Sequence, residues 1–185
     1  ALNDLLDLGV TGPMLRAAGL DWDIRRAEPY SCYQEFDFEV PVRTAGDVYA
    51  RYEVRIEEMR QSSRIARQAL EGMPEGPWVA DAPEVVLPPR EKMKTEMEAL
   101  IHHFKIVYEG FRVPAGEVYQ VIESPRGELG YYVVSDGSSR PWRVHIHGPS
   151  FANLQATPLL IEGRLLADVI AALGSMDFVL GDADR

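Results

Sequence analysis

The chain has 185 residues, a length that favours one compact domain over two independent hydrophobic cores. Its 19 Lys and Arg face 29 Asp and Glu, and the formal net charge of −10 disfavours nucleic acid and anionic lipid as partners. Hydrophobic residues make up 46% of the sequence, which excludes wholesale disorder.

Cysteine content and hydropathy exclude two further classes of protein. Cys32 is the only cysteine, so the chain cannot form an internal disulfide or supply the four thiolates of an iron–sulfur cluster. No apolar run approaches the roughly 18–20 residues that span a bilayer, and no signal-peptide pattern opens the sequence. The chain starts with alanine, and residues 2–10 resemble the last turns of a helix, so we expect a fragment of a longer protein.

The first part of the chain predicts a loop, a strand and a long helix. Residues 11–34 lack sustained periodicity and are expected to form a long loop. Residues 35–40 alternate polar with apolar side chains, which predicts a half-buried strand closed by Pro41. A helix is predicted from Asp47 to Gly72, with an apolar stripe at positions 48, 52, 56, 59, 63, 66 and 70.

Arginines occupy the other faces of this predicted helix. They predict either a solvated, ion-paired face or a docking strip for an acidic partner. The residues concerned are Arg51, Arg55, Arg60, Arg64 and Arg67.

The rest of the chain predicts an extended linker, a second helix, a small sheet and a C-terminal helix. Prolines exclude a helix from residues 73–89, and apolar residues at helical spacing then continue to Gly110. The later predicted elements are strands at 117–123, 128–135 and 140–147, helices at 150–155 and 165–173, and a tail from 175 to 185. These elements predict an α+β fold in which long helices dominate and a small antiparallel sheet is added.

Histidines give little support for a metal site. His102 and His103 are consecutive on a helix and point about 100° apart, so they cannot bind one ion together. His145 and His147 share one face of a strand, but no Cys or further His nearby completes the coordination. A phosphate-binding glycine loop and a nucleophile elbow are both absent from the sequence.

Two segments are candidates for function. Residues 123–128 place Glu123, Arg126 and Glu128 around one turn, which predicts either a surface hairpin tip or a fixed charge pair beside a cavity. Residues 177–185 place apolar side chains directly before the end of the sequence, where polar residues are usual, so we expect this segment to be buried.

Six motifs resemble one protein family, and together they extend over almost the whole chain. The family is that of the D subunit of bacterial NADH:quinone oxidoreductase, respiratory complex I, and the match is to its C-terminal half. The motifs are TGP at 11–13, RRAEPY at 25–30, YEVRIEEM at 52–59, ESPRGELGYY at 123–132, PSFANLQ at 149–155 and GDADR at 181–185.

That family is in turn similar to the large subunit of nickel–iron hydrogenases, which ends in an Asp-Pro-Cys-x-x-Cys-x-x-His motif. In this chain Asp177 keeps the Asp, Val179 and Asp182 replace the cysteines, and Arg185 replaces the His. The resemblance therefore implies that the metal site is lost and that a hydrophobic quinone occupies its place. Arg126 matches an arginine beside the hydrogenase metal centre, which favours the charge-pair interpretation of its turn.

The resemblance implies a hydrogenase-like fold and a set of site residues. Asp177 is expected in proton transfer, Arg126 in electrostatic stabilisation, and Glu123 and Glu128 as the charge partners of Arg126. The residues expected to line the quinone cavity are Met176, Phe178, Val179, Leu180, Gly181 and Asp182.

The resemblance also implies a setting for the chain. It would bind no flavin, cluster or metal itself, and would pack against the subunit that carries the terminal iron–sulfur cluster and near the membrane-arm subunit at the quinone entrance. Ubiquinone or menaquinone would be the substrate, and the complex would lie at the cytoplasmic face of the bacterial plasma membrane. The family's headgroup histidine and tyrosine lie in its N-terminal half, so this chain alone is expected to be inactive.

Two alternatives remain open at this stage. In the first alternative the chain is a structural or assembly scaffold that never contacts quinone. In the second it is a metal-binding relative of the hydrogenases. The missing cysteines disfavour the second alternative, and elemental analysis for nickel tests it.

Overall fold

The structure is a computed structural model that describes residues 2–184. It combines short helices, one long helix and a sheet. In chain order the elements are α1 (Leu2–Asp7), α2 (Pro13–Ala17), α3 (Ile24–Ala27), a 3-10 turn (Tyr33–Glu35), α4 (Val48–Glu71), α5 (Arg90–Thr95), α6 (Met97–Phe104), a π-helical turn (Lys105–Glu109), β1 (Gly116–Ser124), β2 (Gly127–Ser135), β3 (Arg143–His147), α7 (Pro149–Gln155), α8 (Thr157–Ile161), α9 (Leu166–Met176) and α10 (Leu180–Ala183).

The predicted α+β class is confirmed. The sheet has three strands in the order β1-β2-β3. Only Pro125 and Arg126 separate β1 from β2, and so short a connection joins antiparallel strands. None of the helices among residues 2–184 is long and apolar enough to cross a membrane.

The chain divides into two compact units. The first comprises the residues up to Met73, Gln120–Tyr131 and the residues from His145 onward. The second comprises Pro74–Tyr119 and Tyr132–Val144. Both candidate segments, the 123–128 turn and the C-terminal segment, belong to the first unit.

The core of the first unit joins helices from both ends of the sequence. Val10, Met14, Ala156 and Met176 form one buried cluster, with Phe178 packed against it. Ala17, Ala50 and Val54 form a second cluster, in which small alanines let α2 and α4 approach closely. Full burial of a side chain such as Val54 contributes about 2 kcal/mol.

Helix α4 begins and ends as the sequence predicts, but it buries a different face. The Asp47 carboxylate accepts a hydrogen bond from the Ala50 N–H at 2.7 Å, and Gly72 follows the last turn. The buried residues are Ala50, Arg51 and Val54, whereas Tyr52 and Met59 of the predicted apolar stripe are 59% and 57% exposed. The predicted orientation of α4 was wrong. The small side chain of Ala50 permits close packing on its own face of the helix, which large residues would prevent.

Three other predicted elements differ from the structure. Residues 11–34 contain α2, α3 and the 3-10 turn instead of one long loop. The second predicted helix is interrupted at Glu96, whose extended backbone separates α5 from α6. Helix α9 continues past Gly174 to Met176, and α10 forms within the segment predicted as a tail.

The predicted strand at 35–40 is not a strand. Glu35 ends the 3-10 turn, and the backbone groups that follow bind side chains of α4: Gln68 accepts from the Asp37 N–H at 2.9 Å and donates to the Asp37 carbonyl at 2.8 Å. Gln61 accepts from the Glu39 N–H at 3.2 Å. Phe38 of this segment is buried, and its ring contacts Tyr33, Arg25 and Arg26.

Candidate functional site

The turn between β1 and β2 contacts the residue that follows α9. The Arg126 Nε donates a hydrogen bond to the Asp177 carbonyl at 2.7 Å, and Arg126 Nη2 lies 3.6 Å from Asp177 Oδ2. Asn153 Nδ2, from α7, donates to the Arg126 carbonyl at 3.0 Å. The two candidate segments, 51 residues apart in sequence, therefore form one site.

The backbone at Asp177 is held in the left-handed region. Its φ is 53° and its ψ is 40°, and Asp is one of the few residues other than Gly that adopt this conformation readily. This geometry ends α9 and turns the chain toward α10. The Arg126–Asp177 ion pair is partly exposed, with 32% of the Arg126 side chain and 50% of the Asp177 side chain accessible.

The carboxylate that pairs with Arg126 is Asp177 and not, as the sequence suggested, Glu123 or Glu128. Glu123 instead accepts from Arg16 Nη1 at 2.8 Å, and Glu128 accepts a short hydrogen bond from Trp22 Nε1. Both glutamates interact with the 11–34 segment, whose structure the sequence did not predict.

A buried charge cluster surrounds Arg16, which is 1% exposed. Arg16 Nε lies 2.7 Å from Glu58 Oε1, Nη1 lies 2.8 Å from Glu123 Oε1, and Nη1 lies 3.8 Å from Asp23 Oδ2. Arg25 in turn pairs with Asp23 through Nε at 2.9 Å and Nη2 at 2.6 Å. A guanidinium satisfied by several carboxylates is the arrangement that makes burial of the charge tolerable.

Burial and the charges within this cluster act on the pKa values of its members in opposite directions. It raises the pKa of Glu58 and of Glu123, against the opposing effect of the Arg16 charge. Burial lowers the pKa of Arg16, but the carboxylates of Glu58, Glu123 and Asp23 outweigh it, and the net pKa is raised. The sequence alone did not identify Arg16, because the 11–34 segment was predicted as a loop, or Glu58, because a charged residue on a long helix usually faces solvent.

The predicted cavity-lining residues are divided between core and surface. Met176 is 1% exposed and belongs to the hydrophobic core, and Phe178 packs against that core. Val179 and Leu180 are 40% and 70% exposed, and Gly181 is also exposed. The exposed apolar side chains therefore lie two and three residues after Asp177.

Asp182 has a structural contact with α7. Its Oδ2 accepts from the Ser150 N–H at 2.9 Å, and the Ser150 Oγ accepts from the Val179 N–H at 3.4 Å. A Cβ at Gly148 would lie 2.4 Å from Asp182 Oδ1, so only glycine fits beside this carboxylate. Arg185, matched to the histidine of the hydrogenase motif, lies outside the described residues.

A cleft of about 680 Å³ lies elsewhere in the first unit. Thr44, Asp47, Arg51, Arg164 and Asp168 contribute its polar lining, and no residue of the 123–128 turn or of 176–182 lines it. Residues 2–184 contain no group of three or more His, Cys, Asp or Glu side chains placed to hold a metal ion.

The sequence is similar throughout its length to known proteins. Residues 1–185 match the family described as the respiratory-chain NADH dehydrogenase 49 kDa subunit. The chain is 73% identical, over all of its length and 45% of the relative, to the NADH-quinone oxidoreductase D subunit 1 of Solibacter usitatus.

Two further relatives carry related names. The chain is 65% identical to the NADH-quinone oxidoreductase D subunit 2 of Koribacter versatilis, over 98% of the chain and 45% of the relative. It is 53% identical to the NADH-quinone oxidoreductase D subunit of Geotalea uraniireducens, over 98% of the chain and 47% of the relative. The chain thus spans about half the length of the curated relatives it matches.

Proposed function

We propose that this chain is part of the quinone-binding subunit of a proton-pumping NADH:quinone oxidoreductase. It belongs to the family of the respiratory-chain NADH dehydrogenase 49 kDa subunit, and this membership supports the proposal. The reaction is assigned to the assembled complex and not to this chain alone. Ubiquinone or menaquinone is the proposed substrate.

The contact between Arg126 and Asp177 is the observation that carries this proposal. It joins the turn and the C-terminal segment, which the sequence nominated separately as parts of one quinone site. A charged pair with exposed Val179 and Leu180 close by in sequence suits a ligand that has a polar headgroup and an apolar tail.

The chemistry of quinone reduction assigns a role to each member of this pair. Reduction of a quinone to a quinol adds electrons and protons to its carbonyl oxygens, so negative charge develops there. The Arg126 guanidinium stabilises that charge, and the Asp177 carboxyl group donates or relays a proton. Val179 and Leu180 provide apolar contacts for the ring or tail.

The electrons reach this site from another subunit in our proposal. Cys32 is the only cysteine, so the chain cannot ligate an iron–sulfur cluster by itself. The family resemblance implies the rest of this setting: we assign the terminal cluster to the neighbouring subunit, with quinone entering past a membrane-arm subunit at the cytoplasmic face of the bacterial plasma membrane.

The burial of Met176 and Phe178 favours a second candidate function. These side chains anchor the end of α9 in the hydrophobic core, as they would in a scaffold that supports the complex without contacting quinone. In that case substitutions in the 177–182 segment reduce assembly and activity together.

The test uses the full-length subunit in the assembled complex, with Asp177→Asn and a control, Glu162→Gln. Asn tolerates the left-handed backbone of position 177, and Glu162 is exposed. NADH:quinone turnover per assembled complex, calibrated by NADH:ferricyanide activity, is expected to fall for Asp177→Asn and to stay at the wild-type value for Glu162→Gln. If assembly falls and total turnover falls in proportion, so that turnover per assembled complex is unchanged, the result would instead support the scaffold.

A further inference from the structure

Two arginines on successive turns of α4 reach the end of α9. Arg51 Nε donates to Ser175 Oγ at 2.9 Å, and Arg55 Nη1 donates a short hydrogen bond to the Ser175 carbonyl. Ser175 Oγ itself donates to the Ala172 carbonyl at 2.7 Å. The last turn of α9 is therefore attached to α4 two residues before Asp177.

Asp177 thus lies between arginines from two different elements. Arg126, in the β1–β2 turn, binds the Asp177 carbonyl and faces the Asp177 carboxylate. Arg55, on α4, binds the carbonyl of Ser175, two residues before Asp177. Burial lowers the pKa of Arg55, and the charge of Asp177 opposes this effect. Asp adopts the left-handed conformation more readily than most residues, and the hydrogen bonds of Arg126 to Asp177 and of Arg55 to Ser175 fix the chain at and before this turn.

If Arg55 only capped the end of α9, the burial of its charge would be unfavourable without any return in function. Burial lowers its pKa, and the neighbouring Arg126 and Arg16 charges act in the same direction, whereas Asp177 and Glu58 oppose them. Burial lowers the pKa of Arg51, and the charge of Arg55 adds to this effect. Among the described residues its buried Nε has no hydrogen-bond partner. A neutral donor would cap the Ser175 carbonyl without these costs.

We propose that Arg55 is a positioning residue that fixes the Asp177 carboxylate for quinone reduction. It acts through the Ser175 carbonyl and through its charge, without contacting quinone. This inference rests on the proposed function of Asp177. It predicts that loss of Arg55 matters only while a carboxylate is present at position 177.

The experiment is a double-mutant cycle on the full-length subunit in the assembled complex. The variants are Arg55→Gln, Asp177→Asn and the double variant, with Arg60→Gln as the control. Arg60 lies on the same helix, with its side chain 71% exposed and paired with Glu57. The measured quantities are kcat and KM for decylubiquinone, with kcat expressed per complex active in NADH:ferricyanide reduction.

We expect Arg55→Gln to lower kcat by about 10- to 100-fold, the effect of misplacing a reacting group. The change in KM is expected to be smaller, and Arg60→Gln is expected to match the wild type. The double variant is expected to have the same kcat as Asp177→Asn alone, since contributions that depend on each other do not add. Arg55→Lys, which keeps the charge, is expected to recover part of the lost kcat.

The other outcomes separate the two proposals. An equal fold-loss from Arg55→Gln in both backgrounds, or reduced assembly with unchanged kcat per complex, overturns the positioning role. A loss with Asp177→Asn but none with Arg55→Gln overturns this inference alone. Wild-type turnover of Asp177→Asn overturns the proposed function as well. If Arg55→Gln does not assemble, Arg55→Lys is measured in both backgrounds and judged by the same rule.

Discussion

Gly12 and Gly127 meet backbone to backbone, so that a Cβ built on Gly12 would lie 2.5 Å from the Gly127 Cα. The same Cβ would lie 2.7 Å from the Arg126 carbonyl oxygen. Thr11 completes the contact, because its Oγ accepts from the Glu128 N–H at 3.0 Å. The loop before α2 therefore fixes the position of the turn that carries Arg126.

Gly12→Ala is expected to displace the Arg126 turn and to reduce the amount of assembled complex. Gly9→Ala is the matched control, because Gly9 has nearly the same φ, +69° against +72°, but nothing within 4 Å of a built Cβ. Both variants carry the backbone strain of alanine at positive φ, about 1 kcal/mol or more. Native-gel quantification of the complex measures the difference, and equal assembly of the two variants would contradict the contact.

Glu123→Gln is expected to change how stability depends on pH. Burial raises the pKa of Glu123 in the folded state, so this group favours folding at acid pH. That contribution is lost as pH rises from the ordinary glutamate range through the raised folded pKa. As pH rises through this window, the thermal midpoint of the Glu123→Gln variant should therefore increase relative to that of the wild type. Both midpoints are measured on the purified complex.

Glu53→Gln is the control for this pH series. Glu53 pairs with Arg43 at 3.1 Å, and both side chains are more than a third exposed. The change in thermal midpoint with pH is compared between the two variants. A difference from wild type for Glu123→Gln that stays constant across the window would show that burial does not control its protonation.

Val179→Met is expected to alter quinone and inhibitor affinity while assembly stays intact. Val179 is 40% exposed, so a longer side chain extends outward from the protein and does not disturb the core. KM for decylubiquinone and the inhibitor concentration for half-inhibition are measured on membranes with equal complex content. Leu70→Met, at an apolar residue of α4 that is 70% exposed, serves as the control that leaves both constants unchanged.

The isolated chain is expected to have no oxidoreductase activity. The family places the cofactors and the headgroup ligands outside this part of the subunit, so we expect electrons from NADH to have no route to a quinone in this chain alone. NADH:decylubiquinone activity of the purified chain is the measurement. Turnover above a heat-denatured sample would show that this chain carries a redox site of its own.

The sequence predicts elements better than it predicts their contacts. The limits of α4 follow from Asp47 and Gly72, and the strands follow from β-branched runs between turn residues. The burial of Arg51 on α4 did not follow, because periodicity locates a stripe but does not show which side meets a neighbour. Small residues such as Ala50 decide that question through packing distance.

The candidate site was predictable to a similar extent. The sequence predicted Arg126 and Asp177 as site residues separately, but it did not predict their mutual contact, which depends on the folding of residues 51 positions apart. Arg55 carries no local signal, because a charged residue on a helix is typical of a solvated face, and Arg16 carries none because its segment was predicted as a loop. Their roles arise only when helices from distant parts of the chain pack together.

The left-handed backbone of Asp177 also limits which genetic variants can be informative at this position. Single-base changes of an aspartate codon give Asn, Gly, Ala, Val, Glu, His or Tyr. Asn and Gly fit the backbone conformation best, and neither carries a negative charge. Spontaneous mutants that keep this turn intact therefore lose the carboxylate, whereas the single-base change that keeps a carboxylate, to Glu, strains the turn.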